Sequence, residues 1–400
     1  MRLRTLVQRA LGATLLLAAA SAAQAERGLT LERVIVVMRH GVRPPTKAPA
    51  MPAGIAADPW PQWQVAPGYL TAHGARAVVL MGRADRGWMS RKGLIPHKGC
   101  PANIRLTSDS DQRTIATGDA YLQGLAPGCA IVNHHRPQGE DDPLFRAAGE
   151  NGAPFDPARA NAAVTQALGA GGTPVVEAGQ RANLTRLDRI LCGGQSSGCG
   201  VSREPTRIVP ASATRRPKLE GALDRASTAA QILLLEYADG KSMDQVGWGR
   251  ATAADITALS AFHSLEFQLL ARPPYLAAAN AAPLARTIAD ALRDTAPAAP
   301  RIVALIGHDT NVASLGGMLG LHWHVPGFAA DDPSPGGAIM LEVLRARGGR
   351  RYVRVSYRSQ SLEQIRTLSP RPPHREVLSI AGCPSLCPLD RVLQALTRIG

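Results

Sequence analysis

Two short apolar runs stand out from an otherwise mixed chain: V-I-V-V-M at residues 34–38 and I-V-A-L-I-G at residues 302–307. Neither alternates with polar residues. That pattern predicts strands buried on both faces, as in a parallel sheet. A weaker run at 103–107 predicts a third strand. Residues 340–344 and 352–357 alternate and predict a hairpin across Gly348-Gly349. Helical periods fall at 69–86, with Leu70, Ala77, Leu80 and Met81 inward, and at 113–122. Others follow at 157–168, opened by an Asp156 cap and an N1 proline, at 179–191 and at 219–237. Ile256, Leu259, Phe262, Leu265 and Leu269 form one apolar helix stripe, which Pro273-Pro274 closes. The tail from Pro370 predicts a loop ending in a short helix near Leu393.

Strands flank a purely helical middle. With a polar, turn-rich boundary at 139–157, this predicts an α/β domain from 26–150 and 273–400, with 151–272 as a smaller all-α insert. The N-terminus is excluded from the fold. Arg2, Arg4 and Arg9 precede a ten-residue apolar stretch, and Ala23-Gln24-Ala25 is an A-x-A cleavage site. Residues 1–25 therefore predict a signal peptide and export to the periplasm or the medium. No later run is long enough to predict a membrane span.

Charge and cysteines sharpen this picture. The net charge is +14, and +11 without the three leader arginines. The excess is mostly arginine, scattered and without interleaved aromatics, which argues against a nucleic-acid partner and suits an anionic small substrate. Cys100, Cys129, Cys192, Cys199, Cys383 and Cys387 all lie in the exported part. An even count there implies disulfides, with fifteen possible pairings, of which nearest-neighbour pairing is the simplest. Zinc is the rival, but no C-x-x-C or paired His at ligand spacing accompanies them.

The candidate chemistry sits where the two apolar runs stop. The first ends in Arg39-His40-Gly41-Val42-Arg43-Pro44-Pro45-Thr46-Lys47. Ligand sites in α/β sheets lie at strand carboxyl ends. Arginine binds phosphate bidentately, so this loop predicts a phosphoryl cradle with His40 inside it. Gly41 is expected to let the backbone turn tightly beside a ligand. Residues 48–67 predict an irregular excursion over one mouth of that site. The second run ends in His308-Asp309-Thr310-Asn311, with Asp309 or Thr310 placed to cap a helix. Arg113, in S-D-S-D-Q-R-T, starts a helix just after a strand, another position that favours anions. His263 lies beside the apolar stripe and reads as a packing histidine.

With both halves in view, the sequence resembles the histidine acid phosphatases, a branch of the histidine phosphatase superfamily. That branch is marked by R-H-G-x-R-x-P and a distant H-D. Further likenesses are S-D-S-D-Q-R-T, G-W-G at 247–249 and P-G-G at 335–337. The longer forms R-H-G-V-R-x-P-T-K and H-D-T-N look like the periplasmic bacterial phytases. The resemblance implies a phosphoglycerate-mutase-like α/β fold, a mixed, mostly parallel sheet flanked by helices with an inserted helical domain. It implies phosphomonoester hydrolysis through a phosphohistidine. His40 would be the nucleophile and Asp309 the proton donor. Arg39, Arg43, Arg113 and His308 would hold the phosphoryl oxygens, with Thr46 and Lys47 on the substrate. No cofactor or metal is implied. The expected partner is a small phosphorylated substrate, phytate first and glucose 1-phosphate or other sugar phosphates as the alternative, bound by a monomer. A noncatalytic phosphate-binding protein is the rival of another class; the presence of both His40 and Asp309 argues against it.

Overall fold

The computed structural model describes residues 28–146, 155–194 and 198–397. The leader at 1–25 and the expected domain boundary at 150/151 lie outside them.

In chain order the strands are β1 (Leu29–Arg39), β2 (Ile104–Ser108), β3 (Asn133–His134), β4 (Arg207–Val209), β5 (Lys218–Glu220), β6 (Ile302–Gly307), β7 (Ala338–Ala346), β8 (Arg351–Ser359), β9 (His374–Leu378) and β10 (Cys387–Pro388). The helices are α1 (Ala72–Arg91), α2 (Gln112–Leu125), α3 (Pro157–Leu168), α4 (Gly172–Gly179), α5 (Arg181–Cys192), α6 (Ala222–Ala238), α7 (Ala253–Leu259), α8 (Ala261–Leu270), α9 (Pro274–Arg293), α10 (Asp309–Leu319), α11 (Leu362–Arg366) and α12 (Leu389–Thr397).

The central sheet runs β10-β8-β7-β1-β6-β2-β3, with β9 also on β8. It is mixed. β1, β6, β2 and β3 are mutually parallel, while β7 to β10 form an antiparallel half. The two apolar runs lie side by side as β1 and β6, and alternate residues feed two cores. Val34, Val36, Met38, Ala304 and Ile306 pack with Val78 of α1 and Tyr121 of α2. Ile35, Val37, Val303 and Leu305 join the larger core with Leu284 and Ile288 of α9 and Val312 of α10. A strand buried on both faces needs no polar alternation, which is why these runs are continuous.

Several elements differ from expectation, each for a local reason. The apolar stripe at 256–269 belongs to two helices, α7 and α8, which break at Ser260. Pro273-Pro274 does close α8, but Pro274 also opens α9, where proline fits the first turn. α9 then continues through Pro283. The stretch expected to be wholly helical also carries the β4–β5 hairpin, and β5 takes up the residues at which a helix is expected to begin, so that helix starts only at Ala222. β9 and β10 add short sheet edges to a tail read as loop.

Disulfides join Cys100 to Cys129, Cys192 to Cys199 and Cys383 to Cys387. The excursion at 48–67 is fastened to the helical part. Trp248 Nε1 donates to Pro59 O at 2.8 Å, and Lys241 Nζ to Gln62 O at 2.8 Å. Trp248 reaches there from the Gly-Trp-Gly turn, whose residues have φ of 56°, 55° and 75°.

Beside that turn lies Glu236 of α6, fully buried. Burial pushes its carboxyl up to about 8, against the pull of the Gly247 N–H and Lys241. The folded state thus holds a proton that the unfolded chain releases near 4.5. Stability from this group is complete below that value and is lost as pH rises towards 8. Glu236→Gln should therefore melt higher than the parent at pH 8 and lose that advantage at pH 4. Parallel melting temperatures across this range would contradict a buried neutral acid.

Candidate active site

Three parallel strand ends converge. Arg39 of β1 pairs with Gly307 of β6, and the His40 N–H donates to Gly307 O at 2.9 Å. The Asp109 N–H, just past β2, donates to Ile306 O at 2.9 Å. The register alone therefore brings Arg39-His40, Asp109 and His308-Asp309 to one edge. The Pro-Gly-Gly loop braces them from below. The Gly336 N–H donates to His40 O, and the Arg39 N–H to Gly337 O. Arg358, ion-paired to Asp85 at 2.6 Å with both side chains buried, holds Gly336 O at 2.8 Å. Gly41 is needed for a different reason than expected. Its φ is not in the left-handed region, but an added Cβ would meet Leu70 at 2.9 Å and Val78 at 3.0 Å. Glycine lets the loop lie flat against α1.

His40 is 1% exposed. Its Nδ1 lies 2.9 Å from Gly41 O, so Nδ1 carries the proton and Nε2 keeps its lone pair. Burial, then the charges of Arg113, Arg43 and Arg39, hold the imidazole well below its usual range. Both effects favour the neutral imidazole, the form a nucleophile requires.

The guanidiniums differ in their anchoring. Arg39 NH1 donates to Pro333 O, while NH2 bonds Gln231 Oε1 at 3.2 Å and Asp309 Oδ2 at 3.0 Å. Arg43 makes one bond, to Pro44 O at 3.0 Å, and burial lowers it to about 10, still charged. Arg113 bonds Asp111 Oδ2 at 2.7 Å. Each of the three keeps a buried Nε–H with no partner among the described residues, which is capacity for phosphoryl oxygens.

His308, not Asp309 or Thr310, is the N-cap residue of α10. Its N–H donates to Asn311 Oδ1 at 2.9 Å, and Asn311 Nδ2 donates to Phe145 O at 2.8 Å. Asn311 thus shapes the turn. The His308 Nε2 pairs with buried Asp109, and its ring stands edge-on to His40 with centroids 5.6 Å apart. Asp309 is the first helical residue. Burial works against its charge, but Arg39 and then His263 outweigh burial and hold the carboxyl well below its usual range.

His40, Arg43, Arg113, His308 and Asp309 line one cavity of about 250 Å³. Thr46 and Lys47 do not join it. Both are exposed and line an adjoining cavity of about 750 Å³, which shares Arg43. Pro44 and Pro45 carry the chain from the smaller cavity to the larger one. The wall of the larger cavity mixes Arg207, Lys218 and Arg225 with Glu204, Glu220 and Asp224.

Sequence reasoning missed several groups. His263, read as a packing residue, is buried but faces Asp309 and Asp332. Arg146 and Arg216 also line the smaller cavity. Asp109 was visible inside S-D-S-D-Q-R-T, where a carboxylate just past a strand end is a signal; the others had none. Asp109, Asp111 and His308 bring ligand-type atoms within 4.8 Å of one another. Arg113 and Arg146 lie on these carboxylates, so cations of the protein already neutralise the group.

Among the described residues no helix is long and apolar enough to cross a membrane. The profile of the histidine phosphatase superfamily (branch 2) matches residues 30–156 and 224–358. The chain is 36% identical to phytase AppA of Escherichia coli K12 over 391 residues, covering 90% of this chain and 89% of that protein. It is 28% identical to a glucose-1-phosphatase of Salmonella typhimurium over 95% of each chain. The solved Hafnia alvei phytase, in complex with myo-inositol hexakis sulphate, superposes with a TM-score of 0.83 at 34% identity, over 92% of this chain and 97% of that one. The motif-bearing strand ends, the profile match and these identities agree, and the chain belongs to branch 2 of the histidine phosphatase superfamily, the histidine acid phosphatases.

Proposed function

We propose that this chain hydrolyses phosphomonoesters in two displacements and that phytate, myo-inositol hexakisphosphate, is its preferred substrate. One observation carries the chemistry: a buried His40 whose Nδ1–H is spent on Gly41 O, leaving Nε2 to attack. In the first displacement Nε2 bonds to phosphorus as the ester P–O bond breaks, and Asp309 protonates the departing oxygen. In the second, water attacks the phosphohistidine, gives a proton to the Asp309 carboxylate, and phosphate leaves. Arg39, Arg43 and Arg113 stabilise the nonbridging oxygens, where charge spreads in the transition state. His308, oriented by Asp109, adds a donor when protonated.

The preference for phytate is supported by the likeness to AppA and by the 750 Å³ cavity beside the cradle, room for a ring bearing several phosphates. A second reading, a glucose-1-phosphatase, is favoured by the carboxylates in that wall. Glu220 pairs with Arg207 and Lys218, and Glu204 with Arg225, so part of the positive charge there is already engaged. Comparing kcat/KM for phytate and glucose 1-phosphate decides between them. Phytate should lead, and a clear preference for glucose 1-phosphate would reverse the order. Lys47 stands at the entrance, so Lys47→Ala should raise KM for phytate roughly three- to tenfold and leave kcat nearly unchanged, as for an interaction equal in ground and transition states.

The same proposal takes residues 1–25 as a cleaved leader directing export, and the enzyme as a monomer. It takes 151–272 as an insert into the α/β domain formed by 26–150 and 273–400. The insert reading is supported by β1–β3 and β6–β10 all coming from outside that segment.

A further inference from the structure

A general acid must hold a proton when the ester bond breaks, yet Asp309 Oδ2 lies 3.0 Å from the buried Arg39 guanidinium, which favours its carboxylate form. The proton has to be stored elsewhere. Among the described residues, the titratable side chain whose ring nitrogen faces the Asp309 carboxylate is His263 of α8. Its Nδ1 lies 2.7 Å from Asp332 Oδ1, and its Nε2 lies 3.7 Å from Asp309 Oδ2. Asp332 is 1% exposed, and its other carboxylate oxygen has no partner among the described residues. A neutral His263 would leave Asp332 as a buried, uncompensated charge, which is costly. The cage therefore fits an imidazolium.

We propose that His263, clamped by Asp332, is the positioning residue that holds the leaving-group proton beside Asp309. This rests on the reading of Asp309 as the acid. Other groups facing the pair are few. Arg39 lies on Asp309 from β1, with His40 and Arg43 further along the cradle. Glu266, one turn along α8, is engaged by Ser227 Oγ at 2.5 Å, and the Phe267 ring packs edge-on to His263 at 4.5 Å. Burial and Arg39 oppose the charge, but the two aspartates outweigh them and push His263 up to about 9.

The protons balance. In the resting pair one proton sits on His263 Nε2 and Asp309 is ionised. When substrate oxygens draw on Arg39, the guanidinium pulls less on Asp309, and the carboxylate becomes a better proton acceptor. The proton passes from Nε2 to Asp309 and on to the leaving oxygen as P–O breaks and the bond from His40 to phosphorus forms. In the second displacement the attacking water returns a proton to Asp309, and from there to Nε2.

The test uses Asp332→Asn, which keeps the size of the side chain and an acceptor for Nδ1 but removes the charge that favours the imidazolium. The readout is kcat/KM against pH on phytate and on 4-nitrophenyl phosphate, whose leaving group needs little protonation. On phytate the alkaline limb should move down by about one pH unit or more. On the nitrophenyl ester it should stay in place. His263→Gln should reproduce the selective loss on phytate. A limb that stays put on phytate, or moves equally on both esters, overturns the proposal. Asp309→Asn is run alongside. If its loss depends on the leaving group while the Asp332→Asn limb does not move, only the role of His263 fails. If its loss is equal on both esters, the acid assignment of Asp309 fails, and the role of His263 falls with it.

Discussion

His40→Ala is expected to lower kcat by on the order of 10⁴-fold or more on every phosphomonoester, whatever the leaving group. Covalent catalysis has no route without the nucleophile, and no second imidazole can substitute. The His308 ring is 5.6 Å away and is tied to Asp109, so it cannot take the in-line position. The fold should survive. The backbone of residue 40 is held by Gly307 O and the Gly336 N–H, neither of which involves the imidazole. Phosphate should still bind, because Arg39, Arg43 and Arg113 remain. The checks are kcat on phytate and 4-nitrophenyl phosphate, inhibition by inorganic phosphate, and the melting temperature. Activity within ~100-fold of the parent, with an unchanged melt, would remove His40 from the nucleophile role.

Asp309→Asn should behave differently, because its loss depends on what departs. An inositol alkoxide leaves badly without a proton, and a general acid typically contributes ~10²–10⁴-fold. Phytate kcat/KM should fall by that much, while kcat/KM for nitrophenyl phosphate, which reports the first displacement alone, should fall by less than ~10-fold. A structural alternative is concrete here. Asp309 stands in the first turn of α10, accepts from the Thr310 N–H at 2.9 Å, and pairs with buried Arg39 at 3.0 Å. If that is its whole role, both substrates should lose the same factor, accompanied by a lower melting temperature from the unpaired Arg39. The ratio of the two losses therefore separates acid catalysis from support.

The difference between these residues and His263 shows what a chain of this kind makes legible. β6 was readable to the residue, because a strand buried on both faces is a short apolar run, and its end is marked by Gly307 and a polar cluster. β1 is longer than its apolar run. It begins at Leu29, where exposure alternates and the composition is mixed. Once two such runs are parallel neighbours, their motifs must meet, so His40, His308 and Asp309 were readable together. His263 was not. It acquires its role only because Asp332, brought in by the loop before β7, and Asp309, at the start of α10, close on it from distant parts of the chain. A lone histidine beside a helix stripe carries no local mark of that. Lys47 and Thr46 show the opposite case: they follow His40 closely in sequence, but beyond Pro44-Pro45 they line the adjoining cavity rather than the one that holds His40. The mixed wall of that cavity comes from the β4–β5 hairpin and its flanks, too short to stand out from the surrounding helical periods.

The account stands on phosphorus becoming bonded to His40 Nε2. The direct measurement is rapid alkaline quench of the enzyme during turnover of ³²P-labelled substrate, followed by peptide mapping under alkaline conditions. Label should appear within one turnover on the peptide containing His40, be released by acid with the lability of a phosphoramidate, and be absent from His40→Ala. Trapping should be stronger in Asp309→Asn with nitrophenyl phosphate, since attack by water also needs that carboxylate as base. Turnover at the parent rate with no label on His40, or label on another residue, would contradict the account.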